Sequence, residues 1–171
     1  MKHRTTLLRL SIAAMPLVLG ACSENQPAPT ESVRLAIIGT ASHGGRLFSQ
    51  QLTQEVTNTP VWAGDPDGTG TALITVNLGQ KEVCWETTVF DITLPASASH
   101  IHKAGVGIRG PIVIALSPPV ATGNGSGFAS ACRSGVDAAL LRDILKNPEA
   151  YYVNVHTTDF PAGAIRGQIG Q

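Results

Sequence analysis

The chain has 171 residues, with 12 basic and 12 acidic side chains and a formal charge of zero. That balance leaves no basic excess for nucleic acid or for electrostatic binding to an anionic membrane. Eighteen glycines and 11 prolines against 5% aromatic residues describe a turn-rich chain the size of one ordinary domain.

Lys2, Arg4 and Arg9 open the chain, and the uncharged apolar run LSIAAMPLVLGA follows. This is the layout of a signal peptide, too short for a spanning helix. The run ends in Leu19-Gly20-Ala21-Cys22, which resembles the bacterial lipobox, whose cysteine is lipidated and becomes the mature N-terminus. Ser23 is not the aspartate that some bacteria use to retain lipoproteins in the inner membrane. Residues 1–21 are therefore expected to be removed. The protein is expected in the bacterial cell envelope, held by acyl chains, at the outer membrane and facing the periplasm or the surface. Nine basic and 12 acidic residues remain after cleavage, a net charge of −3. Residues 22–46 begin with the polar SENQPAPTES and read as a tether. Within them VRLAIIG is an extra strand or a part of that tether.

The domain is expected over 47–171. DPDGTG is a turn, and TALITVNL after it alternates, with Ala72, Ile74, Val76 and Leu78 on one face. NLGQKE is short enough for a hairpin into EVCWETTVFDI, whose Val83, Trp85, Thr87 and Val89 share a face. GPIVIAL is nearly all apolar and predicts a strand buried on both sides or deep in a sandwich. GTGTA and ATGNGSG lack the lysine and helix of a phosphate loop, so they read as loops, with GNGSG a mobile connection. GVDAALLRDILKNP predicts one helix, capped by Asp137 and stopped before Pro148. YYVNVHT sets Tyr151, Val153 and Val155 against Tyr152, Asn154 and His156. GAIRGQI sets Ile165 and Ile169 against Ala164, Arg166 and Gln168. Short strands with one helical connection predict an all-β fold, an antiparallel Greek-key-like β-sandwich.

Cys84 and Cys132 are left once Cys22 is lipidated. In an oxidising compartment they most simply form one disulfide, worth roughly 3–4 kcal/mol in the chain-entropy model. The rival readings are two free thiols or a thiolate metal site, although neither cysteine sits in a C-x-x-C pair.

Four segments, LTQEV, GTALITVNLGQKEVCWETTV, SHIHKAGVGIRGPIVIAL and NPEAYYVNVHTTDFPAGAIRGQI, together resemble the CHRD domain, named for an extracellular growth-factor antagonist and common in bacterial secreted proteins. The closing motif carries most of the likeness, through Tyr152, Asn154, His156, Thr157, Phe160, Pro161, Gly163, Ile165, Arg166, Gly167 and Gln168. His100, His102, Gly105, Gly107, Gly110 and Pro111 extend it. The departure lies between Gly39 and Glu55, so the first strand fits least. The resemblance implies a β-sandwich and looks like the bacterial members that carry a Cys84–Cys132 pair. It implies no function, since fold does not license one.

Chemistry concentrates in His100, His102 and His156. His100 and His102 are two apart on an expected strand, so both imidazoles leave one face. H-x-H with a distant strand histidine is a three-nitrogen set suited to copper, and less to zinc. The layout is similar to that of copper/zinc superoxide dismutase, another β-sandwich. Here, however, no bridging histidine or zinc loop lies between 102 and 156, and Arg166 follows His156 too closely for that enzyme's arginine. The alternative is architectural: histidines that bond to backbone and pin the corner at HIHKAG. Asp159 is a candidate carboxylate behind His156, or else a turn cap. Arg166 binds an anion, or loop carbonyls, or a carboxylate. Ser99 has no nucleophile elbow around it, which disfavours hydrolase chemistry. Two functions follow. One is a lipid-anchored binding or structural module contacting an envelope protein, a matrix component or a metal, and not an enzyme. The other is a copper-dependent redox or copper-handling protein. On either reading the convergence of the three histidines is the expectation to test.

Overall fold

A computed structural model describes residues 44–58 and 60–171. The expected signal sequence, Cys22, VRLAIIG and the expected tether up to residue 43 lie outside the described residues, and Arg46, the last residue of that tether, opens the first strand.

Eleven strands follow in chain order: β1 (Arg46–Gln54), β2 (Val56–Asn58), β3 (Val61–Ala63), β4 (Thr69–Asn77), β5 (Glu82–Phe90), β6 (Ala98–Lys103), β7 (Ile112–Leu116), β8 (Val120–Gly123), β9 (Ser126–Ser134), β10 (Tyr151–His156) and β11 (Ile165–Gln168). The helix α1 (Ala138–Lys146) and a 3-10 turn (Pro148–Ala150) connect β9 to β10. Nine strands form one antiparallel sheet in the order β7-β6-β10-β11-β1-β4-β5-β9-β8, and β2 and β3 pair separately. The fold is all-β, as expected. The sheet curls at β1, which pairs with β4 over Arg46–Leu52 and with β11 only at Thr53 and Gln54. That change of partner brings the apolar faces of the two halves together over one core. Phe48, Leu52, Ile74, Val76, Val83, Trp85 and Val89 come from one half; Ile101, Ile114, Val153, Val155 and Ile165 come from the other.

The alternating segments fold as their periodicity demands. Ala72, Ile74 and Val76 are buried on β4, and Val83, Trp85, Thr87 and Val89 on β5. The helix begins where Asp137 accepts from the Ala139 and Leu140 amides and ends before Pro148. Leu141 and Ile144 plug one end of the core, and Asp143 receives the Lys103 ammonium and the Tyr151 hydroxyl, both at 2.5 Å. Cys84 faces Cys132 across β5 and β9 and is joined to it by a disulfide.

Three expectations need correction. GPIVIAL is not buried on both sides. β7 is an edge strand that pairs only with β6, and Ile112 is 54% exposed; an apolar run alone does not distinguish an edge from a centre. GTGTA is not a loop, because Thr69 to Ala72 open β4. ATGNGSG is not simply a loop either, since it supplies most of β8, a tight turn and the start of β9. Asn124 and Gly125 both have positive φ, 57° and 72°, the demand of a two-residue hairpin turn that matches strand twist. The first strand, where the family pattern fits least, is a nine-residue strand inside the sheet.

Candidate metal centre

β6 and β10 are antiparallel neighbours, with His102 opposite Tyr152, His100 opposite Asn154 and Ala98 opposite His156. Ile101, Val153 and Val155 take the core face. Strand alternation therefore turns His100, His102, Tyr152, Asn154 and His156 to the other face. This face is covered by two loops, and Tyr152 and Asn154 are only 1% exposed.

The loop of residues 104–111 is held down by side chains of the sheet. Arg166 donates to the carbonyls of Ile108 and Gly105, each at 2.8 Å, and Gln168 donates to that of Ala104 at 2.7 Å. The Tyr152 hydroxyl accepts from the Gly110 amide at 3.2 Å. Residues 157–164 form the second loop. Arg109 ties the two together by donating to the Ala162 carbonyl at 2.8 Å. Rings stack through the layer: His102 lies parallel to Tyr152 at 4.8 Å, and the Arg166 guanidinium is 3.3 Å from the Tyr152 ring centre.

The three histidines converge, because the strands that carry them are neighbours, which the family resemblance implied and the strand pattern alone did not. Their ring centres lie 5.1–6.2 Å apart, and one nitrogen of each lies within 4.8 Å of the others. His102 Nδ1 is 2.9 Å from the Gly110 carbonyl, and His156 Nδ1 is 3.1 Å from the Pro161 carbonyl. A carbonyl oxygen only accepts, so both Nδ1 atoms carry the proton and both Nε2 atoms carry a lone pair. His156 Nε2 lies 3.2 Å from His100 Nδ1. His102 Nε2 is buried with no hydrogen-bond partner among the described residues. Burial lowers the pKa of all three imidazoles, that of His156 to about 4, helped by the neighbouring histidines and Arg109. At neutral pH the site offers uncharged rings, the form in which imidazole binds metal.

Chemically, this is a set of nitrogen donors oriented from behind by backbone carbonyls, the usual support of metal-binding histidines. Bonds of about 2.0–2.1 Å require nitrogens about 3.4 Å apart in a tetrahedral site. The His100–His156 pair already stands near that spacing, and a ring nitrogen of His102 lies within 4.8 Å of both.

Other candidates have structural places. Arg166 serves loop carbonyls and the side-chain oxygen of Gln168. Asp159 does not stand behind His156. Its carboxylate accepts from the Thr93 hydroxyl, and the Pro161 carbonyl occupies the position proposed for it. A backbone carbonyl five residues on from His156 reaches the ring without an added buried charge. Asn154 donates to Glu55, and Ser99 donates to the Asn154 carbonyl. Sequence reasoning passed over Glu55 and Arg109. Glu55 sits in the gap between β1 and β2 and is 1% exposed. Burial raises its pKa to about 7 against the opposing pull of Arg166, Arg109 and Asn154. No local period marks either residue, because both act from connections between strands.

The CHRD domain family model matches residues 48–169. No curated protein and no solved structure matches the chain.

Proposed function

The chain belongs to the CHRD domain family, and from that premise we propose that its sandwich is a binding module of the cell envelope whose ligand is a transition-metal ion. His100, His102 and His156 hold the ion, and Cys22 carries the lipid that keeps the module at the membrane. The observation that carries the metal reading is the His102 Nε2 lone pair, buried in a residue of the three-imidazole cluster and without a hydrogen-bond partner among the described residues. Burying an acceptor unsatisfied costs about 1–3 kcal/mol, and a bound ion removes that cost. Three imidazoles favour copper(II) over zinc by the general affinity order of divalent metals. The anchor rests on the LGAC register and the apolar run before it.

The test is the metal content of the full chain, purified in detergent after exposure to copper and zinc. Wild-type protein should hold one equivalent of copper with nitrogen hyperfine structure in its electron paramagnetic resonance spectrum. His102→Gln should lose it. A wild-type protein with no stoichiometric metal would refute the reading. Fatty-acid labelling that persists in Cys22→Ala would refute the anchor.

A second reading is architectural. The hydrogen bonds from His102 to Gly110 and from His156 to Pro161 pin both loops to the sheet. On this reading His102→Gln lowers thermal stability and changes no metal content.

A further inference from the structure

We infer that the metal held by the three histidines takes a small anion as an exchangeable fourth ligand, and that Arg109 supplies the positive charge that draws the anion in. The inference rests on the metal reading above and names what the bound ion does next.

The first argument is geometric. All three imidazoles rise from β6 and β10, two adjacent strands, and leave the same sheet face. An ion bound by them has its ligands on the sheet side and a coordination position directed away from it. Among the described residues, no cysteine, carboxylate or fourth histidine joins this cluster. Three protein ligands with a remaining position is the arrangement that admits water or an exogenous ligand. His100 and His156 are only partly buried, so the two loops do not seal the cluster from solvent.

The second argument is charge. Three neutral imidazoles leave the whole charge of a divalent ion uncompensated. Arg109 adds to it, because its backbone and side chain lie against both histidine anchors. Gly110, its chain neighbour, supplies the carbonyl that holds His102. The Ala162 carbonyl it binds is adjacent to the Pro161 carbonyl that holds His156. Arg166 brings a second guanidinium, separated from His102 by the Tyr152 ring. Glu55 is the acidic group facing these two arginines, and a single carboxylate does not neutralise two guanidiniums and a metal ion. Small anions are what such a field selects.

The full chain, loaded with copper(II) and purified in detergent, is titrated with azide. Wild-type protein should develop a saturable azide-to-copper charge-transfer band while its resonance spectrum still shows histidine nitrogens. Arg109→Gln should weaken azide binding by about tenfold, the effect of losing one nearby charge in a partly screened site, and Arg109→Lys should recover most of it. A wild-type protein that keeps its copper and shows no band overturns the inference, as does azide that strips the metal away. Equal azide affinity in wild type and Arg109→Gln overturns the role of Arg109. Failure of the underlying metal reading is distinguishable, since no histidine-bound copper would then load at all.

Discussion

Glu55 shows how one buried side chain sets a pH response. Its folded-state pKa of about 7 stands above the ordinary 4.5, so the folded protein binds more protons than the unfolded chain between those values. The contribution is complete below pH 4.5 and is lost as pH rises through 7. The depressed imidazoles act in the opposite sense, adding stability as pH rises toward their ordinary 6.5. In wild-type protein the two slopes oppose each other. Glu55→Gln removes the falling one, so its stability relative to wild type should grow by about 2 kcal/mol between pH 4.5 and 7.5. Urea unfolding at four pH values checks this, and parallel pH profiles would contradict it. Gly163 belongs to the same layer. At φ 133°, a Cβ there would meet the Glu55 carboxylate and the Asn154 amide, so the glycine of the closing motif is required by the space Glu55 occupies.

Among the elements, α1 depends on its cap. Asp137 accepts two amide hydrogens, each at 2.9 Å, and Asp137→Ala should cost about 1 kcal/mol. A loss several times larger, read from denaturant midpoints, would mean that Asp137 does more than cap. The disulfide joins strands already paired from Glu82–Ser134 to Phe90–Ser126. Its removal in Cys84→Ala/Cys132→Ala should lower stability by about 2–4 kcal/mol, mainly through the unfolded state. The β5–β9 pairing should survive, so the circular dichroism of the folded variant should match wild type. A variant with altered β signal would show that the link holds the strands in place.

At the scale of the whole molecule, ligand binding and folding are linked. The three imidazoles converge only when β6 and β10 pair, so a metal that binds them binds the folded state. At one hundred times its dissociation constant it stabilises by about 2.7 kcal/mol, which raises the melting temperature of a domain this size by roughly 5–15 °C. The shift should appear with copper, be smaller with zinc, and vanish in His102→Gln. A melting curve unmoved by saturating copper would separate the histidines from any metal role.

Some of this was legible in the chain before folding. The period-two alternation of TALITVNL, EVCWETTV and YYVNVHT dictates which residues turn inward, because a strand has only two faces. Asp137 and Pro148 bound the helix through hydrogen bonds made within a few residues of themselves. H-x-H and the alternation of YYVNVHT put all three histidines opposite the core. What folding alone decided was adjacency. GPIVIAL became an edge because, among the described residues, no strand pairs with the side of β7 away from β6. Glu55 and Arg109 entered the site from connections 54 residues apart along the chain, where no periodicity points to a partner. The carbonyls of Gly110 and Pro161 fixed the imidazole tautomers, and a backbone oxygen carries no signature in sequence. Side-chain direction is a local property of the strand, whereas a site needs several directions to meet, and only long-range pairing makes them meet.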